Sequence, residues 1–363
     1  MLMNRLPLTF FGFRLIQQQC PSTSSTLLKM TMIQSLNQRK FLSTAKSMAN
    51  SNEKYRFSFT NGANGKITNE QRDFYEENGY ILVKKLLTDQ DIDRYWQRFQ
   101  DLATGKVQPN PLLLLQRELA TAKQAIHERS LYKVQELYAD DVLFEYCCHP
   151  SVLDIVEAFV GSPNILAIHS MLINKPPDLG TKSSRHPLHQ DLHYFPMRPA
   201  DRIVGTWTAM EKITKENGCL SAVPGSHKGE HLEHDYPEWE GGVNKLYYGI
   251  KDMSNVVDNR VHIEMERGDC LFFHPLLIHG SGMNRTNGFR KAISCHYASS
   301  TDCHYIEIEG TIQEKLAKEI VDVYHKRART IIGGDSDTIT YKDLWRMRSR
   351  LVRGEDKIGA TIF

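Results

Sequence analysis

The sequence predicts a β-rich α+β protein in which a jelly-roll core, a cupin-like double-stranded β-helix, is backed by helices. Three observations predict it. Helical periodicity with recognisable caps gathers toward the two ends of the chain beyond residue 52. From about 165 to 310, short apolar runs alternate with turn residues such as Glu216-Asn217-Gly218, Pro224-Gly225-Ser226 and Arg267-Gly268-Asp269. Finally, His189 and Asp191 sit two residues apart while His279 lies far along the chain, and a rolled sheet is how distant strands reach one point. With no internal repeat, about eight strands closed as a jelly roll is the economical arrangement.

The elements follow in order. Residues 1–52 carry Arg5, Arg14, Lys29, Arg39, Lys40 and Lys46 and no acidic residue, amid Ser, Thr and Gln, which is the composition of an organelle transit peptide. Arg39-Lys40-Phe41-Leu42-Ser43-Thr44 would suit mitochondrial processing. Thr68 and Gln71 form a capping box, and Gly79 closes the helix they open. Tyr80–Val83 reads as a strand. Thr88 starts a second helix with Ile92, Tyr95 or Trp96, and Phe99 on one face. Ser151 is expected to cap a short helix over Val152, Ile155, Val156 and Phe159 that ends at Gly161. Two helices, 311–327 and 341–352, close a single domain spanning 53–363.

Composition describes an ordinary enzyme: 363 residues, 40% hydrophobic, formal net charge +2. Since the leader holds basic residues only, the remainder is mildly acidic, which argues against a nucleic-acid partner. No apolar run approaches the roughly 18–20 residues that span a bilayer. The seven cysteines are scattered without a C-x-x-C pair, so a reducing compartment fits better than a disulfide framework.

Two imidazoles and one carboxylate with open positions are the ligand set of non-haem Fe(II) oxygenases. If Arg185–Phe195 is extended, His189 and Asp191 share a face and Gln190 points elsewhere. Arg290, eleven residues past His279, offers the planar fork that binds a carboxylate in bidentate fashion. His-x-Asp alone is weak; a distal His and then an Arg strengthen it. His186, His193 and His274 flank the motif as supporting or substrate-facing groups, and His193, sharing strand parity, is the competing ligand. His227, His231 and His234 read as a solvated loop.

The segments Ser184–Phe195, Phe273–Gly282, Met171–Asp178 and Asp235–Lys245 resemble the phytanoyl-CoA 2-hydroxylases, Fe(II)/2-oxoglutarate-dependent dioxygenases, over about residues 68–354. The resemblance implies Fe(II) on His189, Asp191 and His279. It implies a 2-oxoglutarate carboxylate on Arg290 and Ser281, with Lys133, Met171, Gln190 and Trp207 lining that pocket. O2 and 2-oxoglutarate are then co-substrates, with ascorbate as an optional addition. The substrate it implies is a 3-methyl-branched fatty acyl-CoA, hydroxylated at carbon 2 with release of succinate and CO2, the first step of α-oxidation. Phe195, Met197 and the Lys175-Pro176-Pro177-Asp178 loop are expected to border the substrate entrance.

The resemblance also implies the peroxisome and an import receptor. Yet neither Arg14-Leu15 nor Arg5-Leu6 continues into the nonapeptide address, and Ala360-Thr361-Ile362-Phe363 is no C-terminal signal. Composition of the leader alone favours the mitochondrion. The alternatives are a dioxygenase of the same family with another small-molecule substrate, a non-catalytic metal-binding β module, and a zinc hydrolase. The motif region shows no general base for the last. Asp191 favours hydroxylation over halogenation, because related halogenases put a small residue there. Oligomeric state is not encoded in any motif.

Overall fold

The computed structural model describes residues 65–117, 131–178, 184–239, 242–243, 247–257, 259–332 and 338–356. The predicted leader lies outside these. Twelve strands form two antiparallel sheets: β1 (Tyr80–Val83), β2 (Leu114–Arg117), β3 (Leu131–Gln135), β4 (Ile165–Lys175), β5 (His186–His189), β6 (Ile203–Ala209), β7 (Leu220–Ala222), β8 (Val261–Ile263), β9 (Cys270–Phe273), β10 (His279–Ser281), β11 (Arg290–Ser299) and β12 (Arg350–Arg353). The main sheet runs β1-β9-β6-β11-β4-β3-β2, with β12 also on β4; the small sheet runs β8-β7-β10-β5. This is the jelly roll the sequence predicts. Its main sheet also recruits strands from outside 165–310.

Helix α1 (Asn69–Asn78) has the Thr68–Gln71 capping box and ends on Gly79 at φ +81°. Helix α2 (Asp89–Ala103) starts from a Thr88–Asp91 box and buries Ile92, Tyr95, Phe99 and Leu102, spacings that keep them on one side. After α3 (Asp141–Cys147), helix α4 (Pro150–Val160) begins two residues before the expected start after Ser151. Pro150 takes the first helical position, where its missing N–H costs nothing and its fixed φ suits the turn. Helix α5 (Glu314–Ile332) is displaced toward the C-terminus from the predicted 311–327. Helix α6 (Tyr341–Arg348) is shorter than predicted: Ser349 takes up extended backbone, and β12 pairs with β4. A helical pattern there yields to cross-strand hydrogen bonds that the local sequence cannot announce.

Val152, Ile155, Val156 and Phe159 of α4 pack with Leu172, Phe272, Ile293 and Tyr297, on the face of the main sheet away from the small one. Burial of each such side chain stabilises by roughly 1.5–3 kcal/mol. Between the sheets lie Trp207, Leu220, Ala222, Ile263, Leu271, Phe273, Leu277 and Ala292. Phe195 and Met197, expected near the substrate entrance, are buried instead with Trp345 and Ile203. Among the described residues no helix is long and apolar enough to cross a membrane, and Cys147, Cys219, Cys270, Cys295 and Cys303 are free and buried.

Candidate active site

His189 closes β5 and His279 opens β10, and the two stand directly opposite each other in the antiparallel pair. Opposed partners share a face, so both rings look toward the main sheet. The expected extended run through Phe195 is corrected here: Asp191–Tyr194 form a short 3-10 helix. Between β5 and that turn Gln190 stays extended, at φ −117° and ψ 125°, and that one residue keeps His189 and Asp191 together. His193, one turn further on, loses the parity that made it a competing ligand.

Each ligand imidazole is oriented by its own chain. Nδ1–H of His189 donates to Pro187 O at 2.8 Å, and Nδ1–H of His279 to Leu277 O at 2.9 Å. A carbonyl can only accept, so both Nε2 lone pairs face inward. There they meet Asp191, with His189 Nε2 3.1 Å from Oδ1 and His279 Nε2 3.6 Å from Oδ2. Lone pairs facing a carboxylate at this range call for a cation between them. One ligand atom from each of the three residues fits within 4.8 Å of the others, so the donor set suits a bound metal ion.

Asp191 has a further partner that the sequence reading did not find: His296 Nε2–H donates to its Oδ2 at 2.7 Å. Burial alone would push the Asp191 carboxyl up. The electrostatic pull of the surrounding His279 and His296 imidazoles, with the hydrogen bond from His296, outweighs it and holds the carboxyl well below its usual range. Burial drives the His279 imidazole down to about 4, against the opposing pull of Asp191. Both ligands therefore stay in the deprotonated form that coordination needs.

The main sheet supplies the wall facing the ligands. Its register runs Met171–Ser294–Trp207 across β4, β11 and β6, with Lys133 opposite Ile173, Ile173 opposite Ala292, and Lys175 opposite Arg290. Residues two apart share a face, so Lys133, Met171, Lys175, Trp207 and Arg290 all line one surface. Lys133 lies on strand β3, with Nζ 5.0 Å from the Tyr247 ring centroid. Arg290 is 2% exposed, its guanidinium 5.0 Å from the Trp207 ring centroid. Burial lowers its pKa to about 10, and its Nε and Nη1 have no hydrogen-bond partner among the described residues. A buried guanidinium with idle donors on a cavity wall is suited to a carboxylate. Ser281, two residues past His279 on β10, accepts from Lys175 Nζ at 2.7 Å. Lys175, read from sequence as part of an entrance loop, is in fact the buried end of β4.

Gln190 is the predicted pocket residue whose side chain turns away. Its Nε2 donates to Glu230 O and Leu276 O, and its Oε1 accepts from Leu232 N. It anchors the 230–232 segment. His227 and His234 are buried rather than solvated, which corrects the loop reading. His193, His231 and His234 converge, but His234 uses both nitrogens: Nδ1–H donates to Leu232 O and Nε2 accepts from Gln190 N–H. This trio supports the ligand loop and has no free lone pair on His234 for an ion. His186 stacks on His189 at 4.0 Å, and His274 bonds Asp201 away from the ligands.

The family model "Phytanoyl-CoA dioxygenase (PhyH)" matches residues 75–292. The peroxisomal phytanoyl-CoA dioxygenase of Homo sapiens is 53% identical over 294 residues, covering 80% of this chain and 84% of that one. A probable phytanoyl-CoA dioxygenase of Caenorhabditis elegans is 52% identical over 294 residues, covering 79% and 94%. Among solved structures, EctD from S. alaskensis in its apoform gives a TM-score of 0.52 at 17% identity, covering 68% of this chain and 81% of that one. The epimerase SnoN, in complex with Fe3+ and alpha ketoglutarate, gives 0.50 at 20%, covering 65% and 85%. At such identities these structures speak for the fold alone. With the sequence match spanning most of the described jelly roll, the chain belongs to the phytanoyl-CoA dioxygenase family.

Proposed function

We propose that this protein is an Fe(II)- and 2-oxoglutarate-dependent dioxygenase that hydroxylates phytanoyl-CoA, a 3-methyl-branched acyl-CoA, at carbon 2. The observation that carries this reading is the His189–Asp191–His279 cluster facing, across the two sheets, a wall that bears the idle guanidinium of Arg290. Simple metal storage needs no such cation. The relatives at just over 50% identity bear the substrate in their names, and the mammalian ones also bear the word peroxisomal. We place the protein in the peroxisome on that ground; the leader lies outside the described residues.

His189, Asp191 and His279 would hold Fe(II) on the side of the cavity that faces the main-sheet wall. When bound, that ion supplies the activation of dioxygen that couples decarboxylation of a keto-acid to hydroxylation of a C–H bond. One oxygen atom ends in the alcohol and the other in succinate, with CO2 released. The chain's own part is placement. Arg290 and Ser281 hold the distal carboxylate, Trp207 stacks behind the guanidinium, and Met171 and Lys133 border the space. Burial of these groups keeps water from competing for their hydrogen bonds.

The test is anaerobic reconstitution of the full chain with Fe(II) and 2-oxoglutarate, then oxygen, following succinate with and without phytanoyl-CoA. Succinate should rise in step with 2-hydroxyphytanoyl-CoA and vanish in His189→Ala and Asp191→Ala. Succinate without acyl hydroxylation would assign a different prime substrate. No succinate under any of these conditions would remove the dioxygenase reading altogether.

A further inference from the structure

Lys175 and Arg290 stand directly opposite each other at the ends of β4 and β11. They are 7% and 2% exposed, and among the described residues neither is ion-paired directly, Asp178 and Glu211 acting on them only at longer range. Two like charges facing each other across strands repel, and burial makes that repulsion stronger. The arrangement has a charge deficit that an anion placed between the two would relieve. Lys175 Nζ donates to Ser281 Oγ and to Gly282 O, each at 2.7 Å. An ammonium has three N–H donors and no acceptor. Ser281 Oγ must therefore accept from it, which leaves the hydroxyl proton to be donated elsewhere.

We propose that Lys175 is a positioning residue that selects the co-substrate. It turns the Ser281 hydroxyl into a donor and, with Arg290, makes the site demand a second carboxylate. The chemistry it favours is a 2-oxo dicarboxylate over a 2-oxo monocarboxylate. This rests on the reading of Arg290 as the carboxylate anchor. Burial, then the charge of Arg290, push the Lys175 ammonium well below its ordinary range, and a carboxylate beside it would oppose both effects. The Lys175 ammonium bonds Ser281 and Gly282 rather than a predicted metal ligand, so it acts through Ser281 and through charge.

The test is calorimetric binding of 2-oxoglutarate and of 2-oxobutyrate to the full chain loaded with Mn(II) under anaerobic conditions. Lys175→Met should weaken 2-oxoglutarate at least tenfold and leave 2-oxobutyrate within about twofold, because the latter lacks the distal carboxylate. Ser281→Ala added to Lys175→Met should cost little more, since the hydroxyl has already lost its orientation. Equal weakening of both acids would mean a merely structural lysine and overturn the proposal, as would unchanged 2-oxoglutarate affinity or full additivity. If Lys175→Met does not fold, Lys175→Gln makes the same comparison with a neutral donor. Failure of the unsubstituted protein to bind 2-oxoglutarate would instead defeat the anchor reading on which this proposal stands.

Discussion

His296 shows how one side chain can set the behaviour of another. Once a metal ion takes the Nε2 lone pairs of His189 and His279, neither ring can donate to Asp191. His296 Nε2–H, at 2.7 Å, is then the donor that keeps the carboxylate aimed. Its ring is boxed by Phe195 at 4.9 Å and Phe273 at 5.7 Å between centroids, so it cannot swing away. Supporting groups of this kind are typically worth 10–100-fold in metal affinity. We expect His296→Leu to weaken Mn(II) binding by about that factor in a competition titration with a chelating dye, while the urea midpoint moves little. Unchanged affinity would reduce His296 to packing. The sequence reading singled out His189, Asp191, His279 and Arg290, and the first three do come together, but it was silent on His296. Nothing local marks it, because its partner lies across the sheets. The same holds for Lys175, which a Pro-Pro sequence disguised as loop.

At the scale of elements, β10 is the piece on which most depends, since three residues provide His279, Ser281 and, between them, Gly280. A Cβ on Gly280 would sit 2.8 Å from His186 O and 2.9 Å from Pro187 O, both backbone atoms of β5 that cannot step aside. Gly280→Ala must therefore push β10 from β5 and part the two ligand imidazoles. Overpacking of this kind costs about 1–3 kcal/mol. The expected outcome is a matching loss in urea denaturation together with weakened Mn(II) binding; loss of stability with full metal affinity would show that the strands part elsewhere. Far from the site, Thr88 both accepts from Asp91 N–H and donates to its carboxylate. Thr88→Ala should cost about 1 kcal/mol, as other cap deletions do, with turnover unchanged. A larger loss, or a change in turnover, would mean that α2 does more than cover the core. Caps of this kind were legible because a helix end is satisfied by residues three apart. The strand β12 was not legible, because its partner β4 lies far away in the chain.

For the whole molecule, packing the jelly roll around a polar site leaves several imidazoles in dry surroundings. Burial first, then neighbouring rings, push His193, His231 and His234 down to about 3 each. In the unfolded chain an imidazole titrates near 6.5. Below that pH the unfolded state takes up protons that the folded state refuses, so stability falls as pH drops, by about 1.4 kcal/mol per pH unit for each such proton. Above about pH 7 these groups contribute no slope. The urea midpoint of the metal-free protein should be flat from pH 7 to 8 and fall steeply from 6 to 5, and His231→Gln should make the fall shallower; an unchanged midpoint down to pH 5 would contradict the dry environment of the trio. By itself, the sequence determined what short-range geometry governs: the capped helices, the turns, and the His-x-Asp spacing that survives even where the strand ends. Tertiary structure alone decided the register that sets Lys175 against Arg290, the hydrogen bond from His296 to Asp191, and the turning of Gln190 away from the pocket. Cross-strand pairing joins residues about a hundred positions apart, and a strand's own alternation says which face a side chain takes but not what it will find there.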